Sequence, residues 1–334
     1  MALVPNSAPH QVSAVVPVYR VADQLGSLLH ELQQLATTQT TPQGRPFVIS
    51  EIVVVYDGGS LDGAAKLKAL TSTSLGTRVV WLSRNFGQHP ATLAGMSASA
   101  GEWIVTLDED GQFPPSEIGI LLDHALNERS PVIYGQPLQP TNHSLWRRIG
   151  SWTARSIFNL ATDSREWSRF SSFRLILGEI GRSVGAYCTN ETYLDVALTW
   201  VSPRSASVAV TYRQPPTTSG YSFSRLFAHF MRMFLTMGTR PMRLFAVLGS
   251  IASLGGFLLS AALVYRRLVL GFPTGFASTL ALLLVLTGLL LLGLAVLSEY
   301  VGLIVRSAIG RPLYVPVNDP TQSALTRDQR ANLP

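Results

Sequence analysis

The sequence predicts an α/β domain with a mostly parallel sheet covered by helices on both faces, followed by a C-terminal two-helix transmembrane hairpin. Short, almost purely apolar segments alternate with amphipathic helical segments, and polar residues follow each apolar segment. Unbroken apolar strands are typical of parallel sheets that are buried on both faces. Two long uncharged apolar runs, at 244–265 and 276–298, then predict the hairpin, because about 20 apolar residues span a bilayer.

The composition supports a membrane-associated protein. Of the 334 residues, 47% are hydrophobic and only 14% are charged. The net charge is +6, and many arginines lie beside the late apolar segments. This placement favours an anionic membrane surface or phosphate ligands over nucleic acid. Cys188 is the only cysteine, so no intrachain disulfide forms, as expected for a cytosol-facing domain.

The elements follow in a regular order along the first half of the chain. Leucines at helical spacing between Leu25 and Leu35 predict an amphipathic helix after the first strand, and small residues at 91–100 predict another helix. Apolar strands are expected at 12–18, 47–55, 78–82, 103–107 and 131–135. Because parallel strands end at one edge of a sheet, the polar residues after them predict a ligand site there. No Gly-x-Gly-x-x-Gly follows the first strand, which argues against an NAD-binding domain.

An acidic stretch after the fourth of these strands is the candidate metal site. On an extended chain Asp108 and Asp110 point the same way, whereas Glu109 points away. Two carboxylates and the amide oxygen of Gln112 make an all-oxygen site that suits Mg²⁺ or Mn²⁺ shared with substrate phosphates. The alternative is a solvated acidic turn. The preceding strand and the Pro-Pro pair at 114–115 favour the metal site.

The Asp-x-Asp-x-Gln-x-Pro-Pro pattern that starts at Asp108 resembles the metal-binding motif of family-2 glycosyltransferases. The resemblance is to the branch that uses polyprenyl-phosphate acceptors, such as dolichyl-phosphate mannose synthase and its bacterial undecaprenyl-phosphate relatives. It implies a GT-A-type nucleotide-binding domain. Further matching segments are Pro17-Val18-Tyr19-Arg20, Asp57-Gly58-Gly59-Ser60-Leu61-Asp62-Gly63, Arg84-Asn85-Phe86-Gly87, Ser171–Ile176, 212–222, 298–302 and 310–314.

The resemblance implies roles for individual residues. Asp57 is expected to contact the nucleobase, and the full donor-binding set is Pro17, Tyr19, Asp57, Arg84, Asn85 and Asp108. The metal ligands would be Asp108, Asp110 and Gln112, and the catalytic residues Asp110 and Arg213. Arg213 is the counterpart of a basic lid residue that holds the donor diphosphate.

Arg174 would meet the acceptor phosphate, although a structural salt bridge is equally compatible with its position. Two residues depart from the family pattern. Val21 stands where the family has Glu, and Gly58 stands where it has a second Asp.

The predicted domain organisation has four parts. A cytoplasmic GT-A domain covers 1–222, a juxtamembrane amphipathic helix 223–243, a hairpin 244–305 with spans at 244–265 and 276–298, and a cytoplasmic tail 306–334. Arginines flank the hairpin on its outer ends, which predicts that both ends and the catalytic domain face the cytoplasm. We therefore expect a two-span integral protein of the bacterial inner membrane.

The expected function is metal-dependent, inverting transfer of a sugar from a nucleotide-diphosphate sugar (UDP-, GDP- or dTDP-linked) to a polyprenyl phosphate such as undecaprenyl or dolichyl phosphate. Mg²⁺ or Mn²⁺ would be the cofactor, no nucleic acid is expected as a partner, and assembly as a homo-oligomer stays open. Two alternatives remain. One is a glycosyltransferase acting on another membrane glycan. The other is a non-catalytic membrane-anchored descendant, which Val21, Gly58 and the altered lid leave open.

Overall fold

The structure is a computed structural model. It describes residues 8–72, 76–138, 170–188, 193–202, 204–213, 275–308 and 312–323, together with isolated positions between 249 and 269. The described residues fall into two compact units. The first holds the sheet and its flanking helices, and the second holds a long apolar helix.

The first unit alternates strands and helices. Its strands are β1 His10–Val18, β2 Gln39–Thr40, β3 Pro46–Tyr56, β4 Thr77–Leu82, β5 Trp103–Thr106, β6 Val132–Pro137, β7 Arg174–Leu177, β8 Ser205–Val210 and β9 Pro316–Val317. Its helices are α1 Leu25–Gln34, α2 Leu61–Ser72, α3 Gln88–Ala98, α4 Ile118–Glu128, α5 Gly178–Tyr187 and α6 Leu194–Val201. Short 3₁₀ turns cover Pro115–Glu117 and Pro320–Gln322.

The sheet is mixed, with a parallel centre. Its order is β8-β6-β7-β5-β1-β3-β4-β9, and β2 pairs with β3. β1 pairs in parallel with β3 and with β5, and β3 pairs in parallel with β4. The chain thus moves outward from β1 to β4 and then returns to the other side of β1 to form β5. This reversal is a topological switch point, where open α/β sheets bind ligands beyond the carboxyl ends of their strands.

Helices cover both faces of the sheet, as the apolar strands predict. One hydrophobic cluster joins alternate residues of β1 to α1, α2 and α4. The other cluster joins Val15, Val53 and Val55 to α3, α5 and α6. Gly95 of α3 lies directly on the sheet, because a Cβ added there would approach Val15 Cγ1 to 2.4 Å.

The predicted strands of the first half are all present, with ends shifted by a few residues. Four strands were not predicted. β2 lies in the polar segment after α1, and β7 runs antiparallel between β5 and β6. β8 pairs in parallel with β6, and β9 follows the apolar helix.

β9 joins the C-terminal segment to the sheet as an edge strand. It pairs antiparallel with β4, where Trp81 is opposite Val317. The backbone N–H of Ser83 donates to the Val315 carbonyl at 3.0 Å. Lys68 Nζ forms an ion pair with Asp319 at 2.6 Å. The segment 312–323 is therefore part of the folded sheet unit, whereas the sequence predicted a separate tail from 306.

The second unit is described mainly by α7, Phe276–Ala308. Within it the window Val285–Gly302 has a mean hydropathy of 1.9, so this helix has the length and composition of a membrane span. The positions described between 249 and 269 are also helical. The predicted first span is thus described only at isolated positions, and the hairpin stays a prediction. The predicted helix 223–243 lies outside the described residues.

Candidate active site

The candidate site lies at the switch point, where the loops after β1, β3, β4 and β5 meet at one edge of the sheet. The loops are tied together by backbone hydrogen bonds. The N–H of Asp57 donates to the Val18 carbonyl at 2.8 Å, and the N–H of Leu107 donates to the Val15 carbonyl at 3.0 Å. The parallel register of the strands therefore brings the polar residues predicted from separate motifs to one edge.

The acidic loop is a turn and not an extended strand. β5 ends at Thr106, and the N–H of Gly111 donates to the Asp108 carbonyl at 3.3 Å. Gly111 has φ +63°, a left-handed conformation that glycine adopts without a steric penalty. The sequence predicted an extended backbone at 108–110, with Glu109 pointing away from the two aspartates, and that backbone conformation is wrong.

The Asp108 side chain is fixed on both oxygens. Oδ1 accepts from Gln88 Nε2 and Oδ2 accepts from Ser172 Oγ, each at 2.5 Å. Burial raises the pKa of Asp108, and the negative charge of Asp110 raises it further, against the hydrogen bond from Ser172. Asp108 and Asp110 are thus close enough to interact electrostatically, and the charge of Arg174 and the hydrogen bond from Gln88 only partly offset the upward shift.

Asp110 and Gln112 complete the predicted metal set. Asp110 is exposed, and its Oδ1 accepts from the Gln112 N–H at 3.2 Å. Oε1 of Gln112 accepts from the Tyr212 hydroxyl. The Gln112 amide oxygen is thus already engaged, although a carbonyl oxygen retains a second lone pair.

The donor set fits a hard divalent cation. Two neighbouring carboxylates raise each other's energy when both are ionised, and a cation removes that repulsion. Mg²⁺ usually binds through one or two carboxylates and completes its shell with substrate phosphates and water. Consistent with this limited protein set, the described part of the chain holds no group of three or more His, Cys, Asp or Glu residues that could bind a metal.

Glu109, the middle residue of the acidic motif, faces the loop after β1. Its Oε1 accepts from the N–H groups of Tyr19 and Arg20, and its Oε2 accepts from the N–H of Ala22, each at 3.4 Å. Val21 within this loop has φ +53°. Glu109 therefore joins the loops after β1 and β5 directly across the switch point.

Asp57 is buried at the end of β3 and organises the next loop. Its two oxygens accept from the N–H groups of Phe86 and Gly87 at 2.7 and 2.8 Å. Burial raises the pKa of Asp57, although these hydrogen bonds and the charge of Arg84 oppose the shift. Nucleobase contact by Asp57 remains a prediction, since the structure shows the carboxylate bound to this loop.

Gly58 explains one departure from the family pattern. Its φ is +58°, and a Cβ added there would lie 1.9 Å from the backbone carbon of Arg84. The family's aspartate would therefore clash with the loop after β4 in this backbone. The change to glycine is consistent with close packing of the two loops.

The other predicted donor-binding residues lie at the same edge. Arg84 and Asn85 are exposed, and the Arg84 guanidinium stacks 4.0 Å from the Phe86 ring centroid. Pro17 is buried within β1, and Tyr19 is exposed after it. The structure thus brings these side chains to the loops around the site, and their donor contacts stay predictions.

Arg213 lies beside the acidic loop. Its backbone N–H donates to the Gln112 carbonyl at 2.8 Å, and its Nη1 donates to the Gly111 carbonyl at 3.4 Å. The guanidinium also forms a two-point ion pair with Glu31 of α1, at 3.0 and 2.9 Å. The hydrogen bonds that Arg213 donates to Glu31 raise the pKa of Arg213, which therefore stays charged.

Arg174 takes part in a buried ion pair. It lies opposite Thr106 in the sheet, and its Nη1 contacts Asp195 Oδ1. Both side chains are almost fully buried. Burial disfavours the charged guanidinium, but the charge of Asp195, together with Tyr134, Tyr193 and Asp108, outweighs it and raises the pKa of Arg174. The structural salt bridge is therefore present, and contact with an acceptor phosphate remains a prediction.

Several residues that shape the site were not singled out from the sequence. Gln88 and Ser172 hold Asp108, Glu109 holds the β1 loop, Tyr212 holds Gln112, and Asp195 pairs with Arg174. The sequence signal that could have indicated some of them is their place in matched segments. Glu109, Ser172 and Tyr212 lie inside such segments, and Gln88 directly follows one.

Comparison with known proteins agrees with this arrangement. Residues 13–183 match the family model described as glycosyl transferase family 2. The chain is 31% identical over 320 residues to the undecaprenyl-phosphate 4-deoxy-4-formamido-L-arabinose transferase of Salmonella paratyphi B, covering 92% of this chain and 94% of that protein. The Salmonella paratyphi A protein of the same name is 30% identical over the same length.

Among solved structures, the mannosyl-3-phosphoglycerate synthase of Rubrobacter xylanophilus matches with a TM-score of 0.49 and 17% identity, covering 69% of this chain and 74% of that one. The family model matches the strands, loops and acidic turn that form the candidate site, and the sequence similarity to the Salmonella proteins extends over nearly the whole chain. The chain belongs to glycosyl transferase family 2 and is a glycosyltransferase.

Proposed function

We propose that this enzyme transfers a sugar from a nucleotide-diphosphate sugar to a polyprenyl phosphate at the cytoplasmic face of a bacterial inner membrane. The observation that carries the proposal is the similarity to undecaprenyl-phosphate sugar transferases, which covers 92% of the chain and so includes the apolar C-terminal region. A relative that shared only the sheet would support no particular acceptor.

The C-terminal edge strand supports two membrane spans. β8 and β9 belong to one sheet, so the chain before and after the apolar region lies on one side of a membrane. An odd number of crossings between them would separate the two strands. If α7 spans, a second span must therefore lie between 214 and 275, where the sequence predicts one at 244–265.

The site residues suggest how the donor is held. The loops after β1, β3 and β4 would position the nucleotide through Pro17, Tyr19, Asp57, Arg84 and Asn85. Arg213, next to the acidic loop, would place positive charge near the donor diphosphate. Asp108, Asp110 and Gln112 would hold Mg²⁺ or Mn²⁺, which supplies positive charge to the departing diphosphate when bound.

The acceptor chemistry needs no strong base. A phosphate monoester is already an anion near neutral pH, so its oxygen can attack the anomeric carbon without losing a proton to the enzyme. The new carbon–oxygen bond forms on the face opposite the diphosphate as the bond to the diphosphate breaks. The configuration at that carbon is therefore inverted.

The test is a transfer assay on the full chain in detergent or nanodiscs. UDP-, GDP- and dTDP-linked sugars are offered with undecaprenyl phosphate, with undecaprenol that lacks the phosphate, and with no lipid, each with Mn²⁺ or Mg²⁺. We expect a glycosylated lipid only with undecaprenyl phosphate. A product on a membrane glycan, or donor turnover that ignores the lipid phosphate, would contradict the proposal.

A further inference from the structure

The structure gives Glu109 a set of partners that the reaction scheme does not use. Three backbone N–H groups of the β1–α1 loop, from Tyr19, Arg20 and Ala22, converge on its carboxylate at 3.4 Å. Both oxygens of a carboxylate accept hydrogen bonds, so one carboxylate can bind several N–H donors at once. Glu109 is half-buried between the two loops.

The loop that receives Glu109 has an unusual backbone. Val21 adopts φ +53°, where β-branched residues rarely occur. Successive N–H groups around a left-handed residue form a concave nest that binds an anion. Such a conformation persists only when the surroundings hold it in place. The Glu109 carboxylate lies where an anion would bind in such a nest.

Val21 packs against the hydrophobic cluster under α1 and brings no polar group to the loop. The acidic group that contacts this loop comes from the other side of the switch point, from the middle of the acidic motif.

We propose that Glu109 is a positioning residue that fixes the donor-binding loop around Pro17 and Tyr19 to the metal-binding loop. The proposal rests on the proposed function for its kinetic consequences. Because Asp108 and Asp110 flank Glu109, its hydrogen bonds set the distance between the donor loop and the carboxylates that face the donor diphosphate.

The first experiment compares Glu109→Ala and Glu109→Gln with wild type in the full chain. We expect Glu109→Ala to raise the donor KM about tenfold, the effect of losing hydrogen bonds to a charged group, with kcat reduced about threefold or less. Glu109→Gln should fall between them, since its amide nitrogen cannot accept from Ala22. Glu179→Gln removes an exposed carboxylate from α5 and should match wild type.

Amide hydrogen exchange supplies a readout that needs no activity. In Glu109→Ala, the peptide that contains residues 19–22 should exchange about tenfold faster, with peptides of β3 and α4 unchanged. Unchanged exchange or a donor KM that does not move would each overturn the proposal. A donor affinity that rises in Glu109→Ala would overturn it as well, because the nest would then be a phosphate site that Glu109 blocks.

The outcomes separate the two proposals. If wild type transfers no sugar to undecaprenyl phosphate while exchange at 19–22 responds as expected, the proposed function fails and the positioning role stands. If wild type transfers sugar and the Glu109 variants behave as wild type in both assays, the positioning role fails alone.

Discussion

The two ends of the parallel strands hold carboxylates in opposite electrostatic states. At the carboxyl ends, burial raises the pKa of Asp108, and the nearby charge of Asp110 raises it further. Toward the amino ends, burial would also raise the pKa of Glu51. There, hydrogen bonds from Ser13 and Ala100, together with Arg78, lower it below its ordinary value.

The difference separates residues that support the fold from residues that await a ligand. Glu51 has a full set of internal partners, with Ser13 Oγ at 2.7 Å and the Arg78 guanidinium at 3.0 Å, so its ionised form stabilises the folded state. Asp108 accepts hydrogen bonds from Gln88 and Ser172 and has the charge of Arg174 nearby, but burial and the charge of Asp110 outweigh them, so its ionised form opposes folding. A ligand of positive charge would reverse that sign, and such unbalanced carboxylates mark candidate functional sites.

The largest expected effect is the loss of activity in Asp110→Ala. Removing one of two carboxylates that hold the cation should reduce transfer by about a thousandfold, comparable to removing a key electrostatic group from other active sites. The melting temperature should stay at the wild-type value, because Asp110 is exposed. The assay is transfer to lipid with Mn²⁺, paired with a thermal melt. Unchanged turnover would remove the metal site from the mechanism.

Asp195→Ala tests a carboxylate near the carboxyl ends that does have an internal partner. The change leaves Arg174 charged and buried, and such a loss destabilises a protein by about 3–5 kcal/mol. The double variant Arg174→Met, Asp195→Leu should recover much of that stability, measured by thermal or denaturant unfolding. If the double variant is stable but transfers no sugar, Arg174 acts on the acceptor as well as in the fold.

Glu51→Gln tests the amino ends. The free energy of unfolding should fall by about 1 kcal/mol, the net worth of a typical hydrogen bond, with no change in kcat. Because the folded pKa of Glu51 is lowered, its stabilisation is present above the unfolded pKa and is lost as pH falls through the folded value. The difference in melting temperature from wild type should therefore shrink in acid. A difference that grows in acid would contradict the comparison.

Asp108→Asn should change stability least of these variants, and in the direction opposite to Glu51→Gln. Its raised pKa means that wild type loses stability as pH rises through the folded value. Without divalent cations, the asparagine variant should therefore match or slightly exceed wild type in melting temperature at neutral pH, by about 1 kcal/mol or less. Mn²⁺ should stabilise wild type and not the variant. A large destabilisation of the variant would show that Asp108 supports the fold.

The central strands of the sheet were predictable because their sequence pattern is local. β1 and β3 are long apolar segments that can be recognised without knowing their partners, and Asp108, Asp110 and Gln112 lie within one short stretch. The supports of the site were not predictable in the same way. Ser172, just before antiparallel β7, contacts Asp108 across a separation of 64 residues. The alternation of side chains along an extended strand does not extend to Glu109, because β5 ends at Thr106.

β9 was not predicted for a different reason. Two residues carry no periodicity, and their partner β4 lies on the far side of the apolar region in sequence. A strand of this length is recognised only by its pairing.

The position of β9 has a consequence for biosynthesis. Domains generally begin to fold from the N-terminal side during translation, but the edge beside β4 stays open until the ribosome has passed α7. The loop that carries Arg84 is bonded to this late segment through Ser83. The edge of the sheet beside β4 can therefore be completed only after the apolar helix has left the ribosome, so the loop that carries Arg84 gains its last backbone support late in synthesis.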